Sequence, residues 1–192
     1  VESVRVVIAE DESIIRLDLK ETLEAAGYEV LADTGRGDTA VELVVKHKPD
    51  LVILDIKMPG LSGIEAARRI TAAQNTAILI LTAYSQRELI EEAIEAGVIA
   101  YLVKPFQQSD LVPAIEIAIK RHNEIRALTD QTKNLEEQLE SRKVIEKAKG
   151  AISDASGVSE SEAFRFLQTT AMSDRQTMLE VANRVLFEGL KP

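Results

Sequence analysis

The chain has 192 residues, a formal net charge of −9 and no cysteine, and 45% of its residues are hydrophobic. No apolar stretch approaches the roughly 20 residues that cross a bilayer, and without thiols the chain forms neither disulfides nor zinc–thiolate sites. The acidic balance argues against a protein that coats nucleic acid non-specifically. We therefore expect a cytoplasmic globular protein with one or two domains and no membrane segment.

Five short apolar segments alternate with amphipathic stretches over the first 108 residues. The segments are rich in β-branched residues and occupy 4–9, 29–32, 51–54, 77–81 and 100–103. The stretches between them have helical periodicity and occupy 13–26, 38–47, 64–71 and 86–96. This alternation predicts an α/β domain with a doubly wound, five-stranded parallel sheet that helices bury on both faces.

A final long helix is predicted from near Ser109, with no Gly or Pro between Pro113 and Gly150. Five of its residues recur at intervals of three and four: Ile125, Leu128, Thr132, Leu135 and Leu139. We call these five residues the seam. Their spacing indicates a helical stalk. The seam could pair two chains in a dimeric coiled coil, or it could pack on the chain's own C-terminal domain.

The C-terminal residues, about 135–190, are predicted to form a small all-α domain of three helices. The stalk supplies the first helix. A capping box of Ser159 with Glu162 predicts the second, and one of Ser173 with Gln176 predicts the third.

Polar residues end or follow four of the predicted strands. They are Glu10, Asp11, Asp55, Thr82 and Lys104. Because the carboxyl ends of parallel strands meet at one edge of a sheet, we expect these side chains to converge. Crowded carboxylates suit Mg²⁺, and a carboxylate beside that metal can act as a nucleophile toward phosphorus. Taken singly, an Asp at a strand end is more often a cap or turn residue; the whole set predicts a site.

The motifs around these residues resemble the receiver domain of two-component response regulators. They are Ala-Glu-Asp-Glu at 9–12, Ile-Leu-Asp-Ile-Lys-Met-Pro-Gly at 53–60 with Gly63, Thr-Ala at 82–83, and Lys-Pro-Phe at 104–106. The resemblance covers residues 4–121 and implies a flavodoxin-like fold. It further implies that a sensor histidine kinase phosphorylates Asp55, and that Lys104 precedes a cis proline.

The same resemblance implies a set of metal ligands and a switch. Mg²⁺, or another divalent cation, would bind Glu10, Asp11, Asp55 and the carbonyl of Lys57. Glu10 departs from the family, in which Asp is commoner, but still offers an oxygen ligand. Thr82 and Lys104 would contact the phosphoryl group, with small Ala83 leaving it room. Tyr101 could swing inward as Thr82 shifts, or could simply be an edge aromatic.

A locally basic segment lies where the stalk enters the C-terminal domain. On a helical wheel, Val144, Ile145, Ala148, Ala151 and Ile152 share one face. The complementary arc carries Arg142, Lys143, Lys147, Lys149 and Gly150. Gly150 could admit a phosphate backbone, or it could mark a kink. On the next helix, whose apolar stripe includes Phe164, Phe166 beside Arg165 could stack an unpaired base, although a dimer contact or the edge of that stripe is the simpler interpretation.

The C-terminal motifs resemble an ANTAR domain, an RNA-binding antitermination module. They are Arg-Lys-Val-Ile-Glu-Lys-Ala-Lys-Gly-Ala at 142–151, Ser-Glu-Ser-Glu-Ala-Phe at 159–164 and Glu-Val-Ala at 180–182. The resemblance covers about residues 132–188 and implies pairing of chains on hairpin loops of a leader transcript. One departure is that 173–178, often strongly basic in the family, holds only Arg175.

The sequence therefore predicts a phosphorylation-activated response regulator that binds RNA and dimerises when phosphorylated. The predicted boundaries are 1–121 for the receiver domain, 122–141 for a helical linker or coiled coil, and 142–190 for the ANTAR-like domain. Alternatives are a helical tail that acts by protein–protein interaction and, less favoured, DNA binding. Without a nucleotide-binding loop or catalytic triad, an enzyme is not predicted.

Overall fold

The computed structural model describes residues 3–83 and 87–190. The chain divides into two compact units, Val1–Arg126 and Ala127–Pro192. Within the described residues, no helix combines the length and the apolar character that crossing a membrane requires.

The first unit contains a parallel sheet. Its strands are β1 (Arg5–Ala9), β2 (Glu29–Thr34), β3 (Leu51–Asp55), β4 (Ala77–Thr82) and β5 (Ala100–Val103). The strand order is β2-β1-β3-β4-β5, and every neighbouring pair is parallel. The chain thus reverses direction across the sheet after β2, which leaves a crevice at the carboxyl ends of β1 and β3. The predicted doubly wound α/β fold is confirmed.

Helices cover both faces of the sheet. They are α1 (Ser13–Ala25), α2 (Gly37–His47), α3 (Gly63–Ala73), α4 (Arg87–Glu95) and the first part of α5 (Gln108–Ser156). On one face, Leu19 and Leu23 of α1 and Leu111 of α5 join a buried cluster with β1, β3 and β4. On the other face, residues of α2, α3 and α4 form a second cluster, which includes Val44 and Ile70.

The two edge strands are less buried than the sequence pattern predicted. All residues of β3 and β4 are buried, whereas β5 alternates half-buried and exposed residues. An edge strand has a neighbour on only one side, so the helix layer leaves part of its surface open. Tyr101 of β5 is 49% exposed.

The second unit is all α-helical, as predicted. After α5 come α6 (Glu160–Asp174), α7 (Met178–Asn183) and a π-helical turn (Arg184–Glu188). Its small core consists mainly of alanine and branched aliphatic residues from all of these elements. The buried members are Ala148, Ile152, Ala163, Leu167, Ala171, Val181, Ala182 and Val185.

Of the two predicted capping boxes, one is confirmed and one is wrong. Ser159 and Glu162 cap α6 reciprocally. Ser173 instead lies inside α6, and the box that starts α7 is formed by Thr177 and Glu180. The glutamate carboxylate of Glu180 accepts hydrogen bonds from both the N–H and the hydroxyl of Thr177, at 2.7 and 2.9 Å.

The seam of the stalk is exposed to solvent. Ile125, Leu128, Leu135 and Leu139 are between 55% and 63% exposed. The alternative in which the seam packs on the C-terminal domain is therefore wrong, since the core of that domain uses Ala148 and Ile152 of α5. Helix α5 is continuous across Gly150 and across the predicted domain limits at 121 and 141, which stay predictions.

Candidate functional sites

Three carboxylates lie together at the carboxyl edge of the sheet. Glu10 directly follows β1, Asp11 is next to it, and Asp55 ends β3. One oxygen from each can be chosen so that all three lie within 4.8 Å of one another. Glu10 is fully buried and Asp55 nearly so, while Asp11 is exposed. This donor set, all oxygen and open on one side, is suited to a hard cation that keeps some of its waters.

Lys104 joins this cluster from the end of β5. Its Nζ lies 2.6 Å from Glu10 Oε2 and 3.2 Å from Asp55 Oδ1. The backbone N–H of Lys104 donates to the carbonyl of Thr82 at 2.8 Å, which ties the ends of β4 and β5 together. The Lys104–Pro105 peptide is cis, as the resemblance implied.

Burial opposes the ionisation of the carboxyl groups in this cluster. Burial raises the pKa of Glu10 and of Asp55, and interactions with Lys104 oppose this rise without cancelling it. For Lys104, burial lowers the pKa, but the hydrogen bond to Glu10 and the two carboxylate charges outweigh it, so the net shift is upward. One ammonium thus offsets only part of the negative charge. A divalent cation would relieve the rest, so the residues fit Mg²⁺.

The predicted switch residues surround the cluster at different depths. Thr82 is buried at the end of β4, and Ala83 is exposed just beyond it. The side chain of Lys57 is exposed in the loop after β3. Tyr101 lies on the outer side of β5 and borders an apolar pocket of about 110 Å³ between β4, β5 and α4. Thr82, Ile80 and Leu89 line the same pocket.

Gly63, the last residue of the receiver-like motifs around Asp55, is required by close backbone packing. A Cβ atom there would overlap the carbonyl group of Asp55. The Gly63 N–H also donates to the carbonyl of Ile56 at 2.8 Å. The loop that carries Asp55 therefore closes directly onto the start of α3, which fixes the carboxylate in place.

Arg16 is a residue of this site that the sequence reasoning missed. Its Nη1 donates to the backbone carbonyl of Glu10 at 2.5 Å, and its Nε donates to Asp33 at 3.1 Å. Arg16 therefore ties the turn that carries Glu10 and Asp11 to the end of β2. The available signal was the position of an arginine in the first turn of α1, six residues after Glu10.

The basic face of α5 is partly confirmed as an exposed surface. Arg142, Lys143 and Lys147 are exposed. Lys143 also pairs with Glu140 at 2.7 Å. Gly150 is exposed, and a Cβ atom there would meet nothing within 4 Å. Packing therefore does not demand glycine at this position.

The placement of Lys149 on that open face is wrong. Its side chain is only 14% exposed, and Nζ lies 2.9 Å from Glu146 and 3.8 Å from Glu160. Lys149 sits at the boundary of the apolar arc, where it pairs with Glu146 of the same helix and with Glu160 of α6.

For Phe166 the alternative of an exposed ring is wrong, and the structure agrees with the alternative of an edge of the apolar stripe. Phe166 is half-buried and packs against the core of the second unit. Its neighbour Arg165 is exposed, as expected. The exposed ring on this helix is Phe164, which the sequence stripe had placed in the core.

The fold and the acidic cluster define a receiver domain, and family models agree. A model described as the response regulator receiver domain matches residues 6–116, and one described as the ANTAR domain matches residues 133–186. Neither is the model of an enzyme family. The chain belongs to the response regulators that carry a receiver domain and an ANTAR domain.

Individual relatives support this membership over nearly the whole chain. The transcriptional regulatory protein PdtaR of Mycobacterium tuberculosis is 52% identical over 182 residues, which cover 95% of this chain and 89% of that protein. The chemotaxis protein CheY of Thermotoga maritima is 40% identical over 112 residues, or 58% of this chain and 93% of CheY. Among solved structures, the receiver domain of a modulated diguanylate cyclase from Desulfovibrio desulfuricans superposes with a TM-score of 0.60 at 31% identity, covering 64% of this chain and 98% of that one.

Proposed function

We propose that a sensor histidine kinase phosphorylates Asp55 and that this controls RNA binding by the C-terminal helices, which regulates transcription by antitermination. The convergence of Glu10, Asp11, Asp55 and Lys104 carries the first half of the proposal. Membership of the two families supports both halves, since receiver domains take phosphate from kinases and ANTAR domains bind RNA. The site of action is the cytoplasm, where transcripts are made.

Phosphotransfer would make Asp55 an acyl phosphate. A carboxylate oxygen of Asp55 bonds to phosphorus while the bond from phosphorus to the kinase's imidazole nitrogen breaks. Lys104 Nζ, already 3.2 Å from Asp55, pairs with the transferred oxygens. Glu10, Asp11, Asp55 and the carbonyl of Lys57 would hold Mg²⁺ or another divalent cation, which when bound shields the negative charge of the phosphoryl group.

The added phosphoryl group would act on the surface through Thr82 and Tyr101. It brings about −1.5 to −2 charges and three acceptor oxygens. The Thr82 hydroxyl can donate to one of these oxygens, with Ala83 leaving space beside it. Movement of Thr82 changes one wall of the 110 Å³ pocket that borders Tyr101. The aromatic ring then moves inward and alters the outer surface of α4 and β5.

The RNA contacts that we propose are the exposed members of the predicted set. Arg142, Lys143, Lys147 and Arg165 supply positive charge, and Gly150 permits close approach of a phosphate backbone. Lys149 and Phe166 are left out because one is paired with glutamates and the other packs on the core.

Dimerisation through the seam would present two such surfaces together. The five seam residues recur at three- and four-residue spacing and their four apolar members are exposed, which suits a second copy of the same helix. Leu135→Ser should convert the beryllofluoride-activated protein to a monomer in sedimentation equilibrium. Lys133→Ser, an exposed change on another side of the same helix, should not. A Leu135→Ser protein that stays dimeric would place the interface elsewhere.

The phosphoacceptor is tested by labelling with radioactive acetyl phosphate in Mg²⁺. Wild-type protein should form an acid-stable, hydroxylamine-labile phosphate, and Asp55→Asn should form none. Label that persists on Asp55→Asn would refute the assignment.

RNA binding is tested on the activated full-length protein with stem–loop RNAs. Lys147→Ala should weaken binding and reduce the slope of log affinity against log salt by about 1, because one phosphate contact is lost. The rival function, docking of a protein, has its own support in the exposed side chains of Met172 and Phe187. Activated protein that ignores stem–loop RNA but binds a protein would favour that rival.

A further inference from the structure

A groove in the second unit lies beside the stalk helix and has no role in the function proposed above. It runs between α5 and the first turns of α6 and α7, opens broadly to solvent and has a volume of about 560 Å³. Small-molecule sites in proteins have volumes of roughly 300–1,000 Å³, so the groove is large enough for an aromatic heterocycle.

One wall of the groove is an aromatic surface that the core does not use. Phe164 is 42% exposed and lies outside the buried cluster of the unit and the residues packed against it. Ile145 and Met178 flank it in the groove. Every nucleobase has a π face, and base stacking on exposed rings is how proteins commonly hold unpaired RNA.

The stretch of α5 that lines the groove offers hydrogen bonds of both kinds. Asn134 and Gln138 each carry an amide group, which has donor and acceptor atoms and can pair with the edge of a base. The charged groups in the groove are Arg142, Glu137 and Glu146, and Glu146 already accepts a hydrogen bond from Lys149 at 2.9 Å. Because two carboxylates outnumber one guanidinium, the groove disfavours a phosphate group. The carboxylates can instead accept hydrogen bonds from the amino group of a base.

Dimerisation would place positive charge next to this neutral-to-acidic groove. With Leu128 and Leu135 at d positions of a heptad, Gln138 is at g and Lys143 at e. In a parallel coiled coil the g flank of one helix borders the e flank of the other. The groove of one copy would therefore lie beside Lys143 of the second copy, which could hold the phosphates that flank a bound base.

We propose that this groove binds one unpaired base of an RNA loop, stacked on Phe164 and hydrogen-bonded by Asn134 and Gln138, beside the basic flank of a second copy. The inference rests on the proposed RNA-binding function and names its base-recognition site. A peptide side chain from another protein would need the apolar surface but not the amide groups of Asn134 and Gln138.

The test uses full-length protein activated with beryllofluoride and a stem–loop RNA selected from a pool with a randomised loop. Phe164→Ala should weaken binding by about 5- to 150-fold, the range measured for removing one stacking partner. Phe164→Tyr should bind as the wild type does. Phe164→Leu, which keeps a large apolar side chain but not the π face, should bind as poorly as Phe164→Ala.

Matched controls separate stacking from charge and from general surface effects. Phe187→Ala removes another exposed ring, one that is 82% exposed and outside the groove, and should leave affinity unchanged. Phe164→Ala should keep the wild-type salt slope, whereas Lys147→Ala should lower it by about 1. Gln138→Ala, on the exposed stalk, should weaken binding and relax the preferred loop sequence.

A direct readout comes from 5-iodouridine placed at each loop position in turn. One position should crosslink to the peptide that contains Phe164. Wild-type binding with no effect of Phe164→Ala and no such crosslink would overturn the groove assignment and leave RNA binding intact. Full affinity of Phe164→Leu, or a change of oligomeric state in Phe164→Ala, would also overturn it by showing an apolar protein contact. A wild type that binds no RNA would overturn both proposals.

Discussion

Glu10 and Asp55 share one ammonium group, which leaves their combined charge only partly neutralised. Both carboxyl groups have a raised pKa, first because they are buried. A carboxyl group whose pKa is higher in the folded state costs stability once it ionises. The ionised carboxylates therefore lower the stability of the folded protein, and a ligand that brings positive charge should restore it.

Removing the Asp55 charge should stabilise the metal-free protein. At pH 7 we expect Asp55→Asn to raise the Tm in EDTA by about 2–4 °C, which is roughly 1 kcal/mol for a domain of this size. The difference should shrink as the pH falls through the raised pKa of Asp55 toward 3.8, the ordinary pKa of an aspartate, because the wild-type carboxyl group then becomes neutral too.

The control for that prediction is Asp50→Asn. Asp50 pairs with Arg5 at the opposite edge of the sheet, and its pKa is lowered, since the interactions with Arg5 outweigh burial. This substitution should lower the Tm at pH 7. Mg²⁺ should raise the Tm of the wild type and of Asp50→Asn but not that of Asp55→Asn. An Asp55→Asn protein less stable than wild type in EDTA would contradict the account.

At the scale of single residues, the sequence predicted the cluster at the strand ends better than the exposure of side chains in the second unit. Glu10, Asp55, Thr82 and Lys104 could be placed because strand ends in a parallel sheet converge whatever their rotamers. On a helix, one residue turns a side chain by about 100°. The wheel placed Phe164 in the apolar stripe of α6 and Phe166 well off its centre, whereas the structure packs Phe166 on the core and exposes Phe164.

Gly150 lies inside helix α5, where glycine is unfavourable. A glycine inside a helix costs roughly 0.5–1 kcal/mol relative to alanine, and here a methyl group would meet open space. We therefore expect Gly150→Ala to stabilise the protein by about that amount in urea titrations while weakening RNA binding. A variant that gains stability and keeps full RNA affinity would show that close approach at Gly150 is not used.

The boundary between α6 and α7 could not be predicted from local sequence motifs. Ser173–Gln176 and Thr177–Glu180 both fit the spacing of a capping box. The structure selects the second pair, because α6 keeps burying Ala171 and continues to Asp174 before it ends at Arg175 in the left-handed conformation. Tertiary packing, which the local motif does not contain, sets that boundary.

Helix α5 belongs to both compact units of the molecule. It contributes Leu111 and Ile115 to the core of the first unit and Ala148 and Ile152 to that of the second. No glycine or proline interrupts it between Pro113 and Gly150. In the proposed function, a change at the receiver surface therefore reaches the proposed RNA contacts as a rotation or displacement of one helix.

Insertions after Arg126 test this route, since each added residue turns the helix by about 100°. Two alanines should preserve acetyl phosphate labelling but abolish the stimulation of RNA binding by beryllofluoride. Seven residues restore the phase to within about 20° and keep the heptad, so stimulation should return. Equal stimulation in both variants would mean that α5 acts only as a tether.

The apolar pocket beside Tyr101 should make the position of the Tyr101 ring sensitive to hydrostatic pressure. A conformation in which the ring fills about 110 Å³ of apolar space occupies less volume than one in which the ring is in water. Pressure favours whichever state eliminates internal void. Hydrostatic pressure should therefore mimic phosphate in unphosphorylated protein, moving the Tyr101 ring signals in NMR toward their beryllofluoride positions, and Ile80→Phe, which fills the pocket, should remove that response.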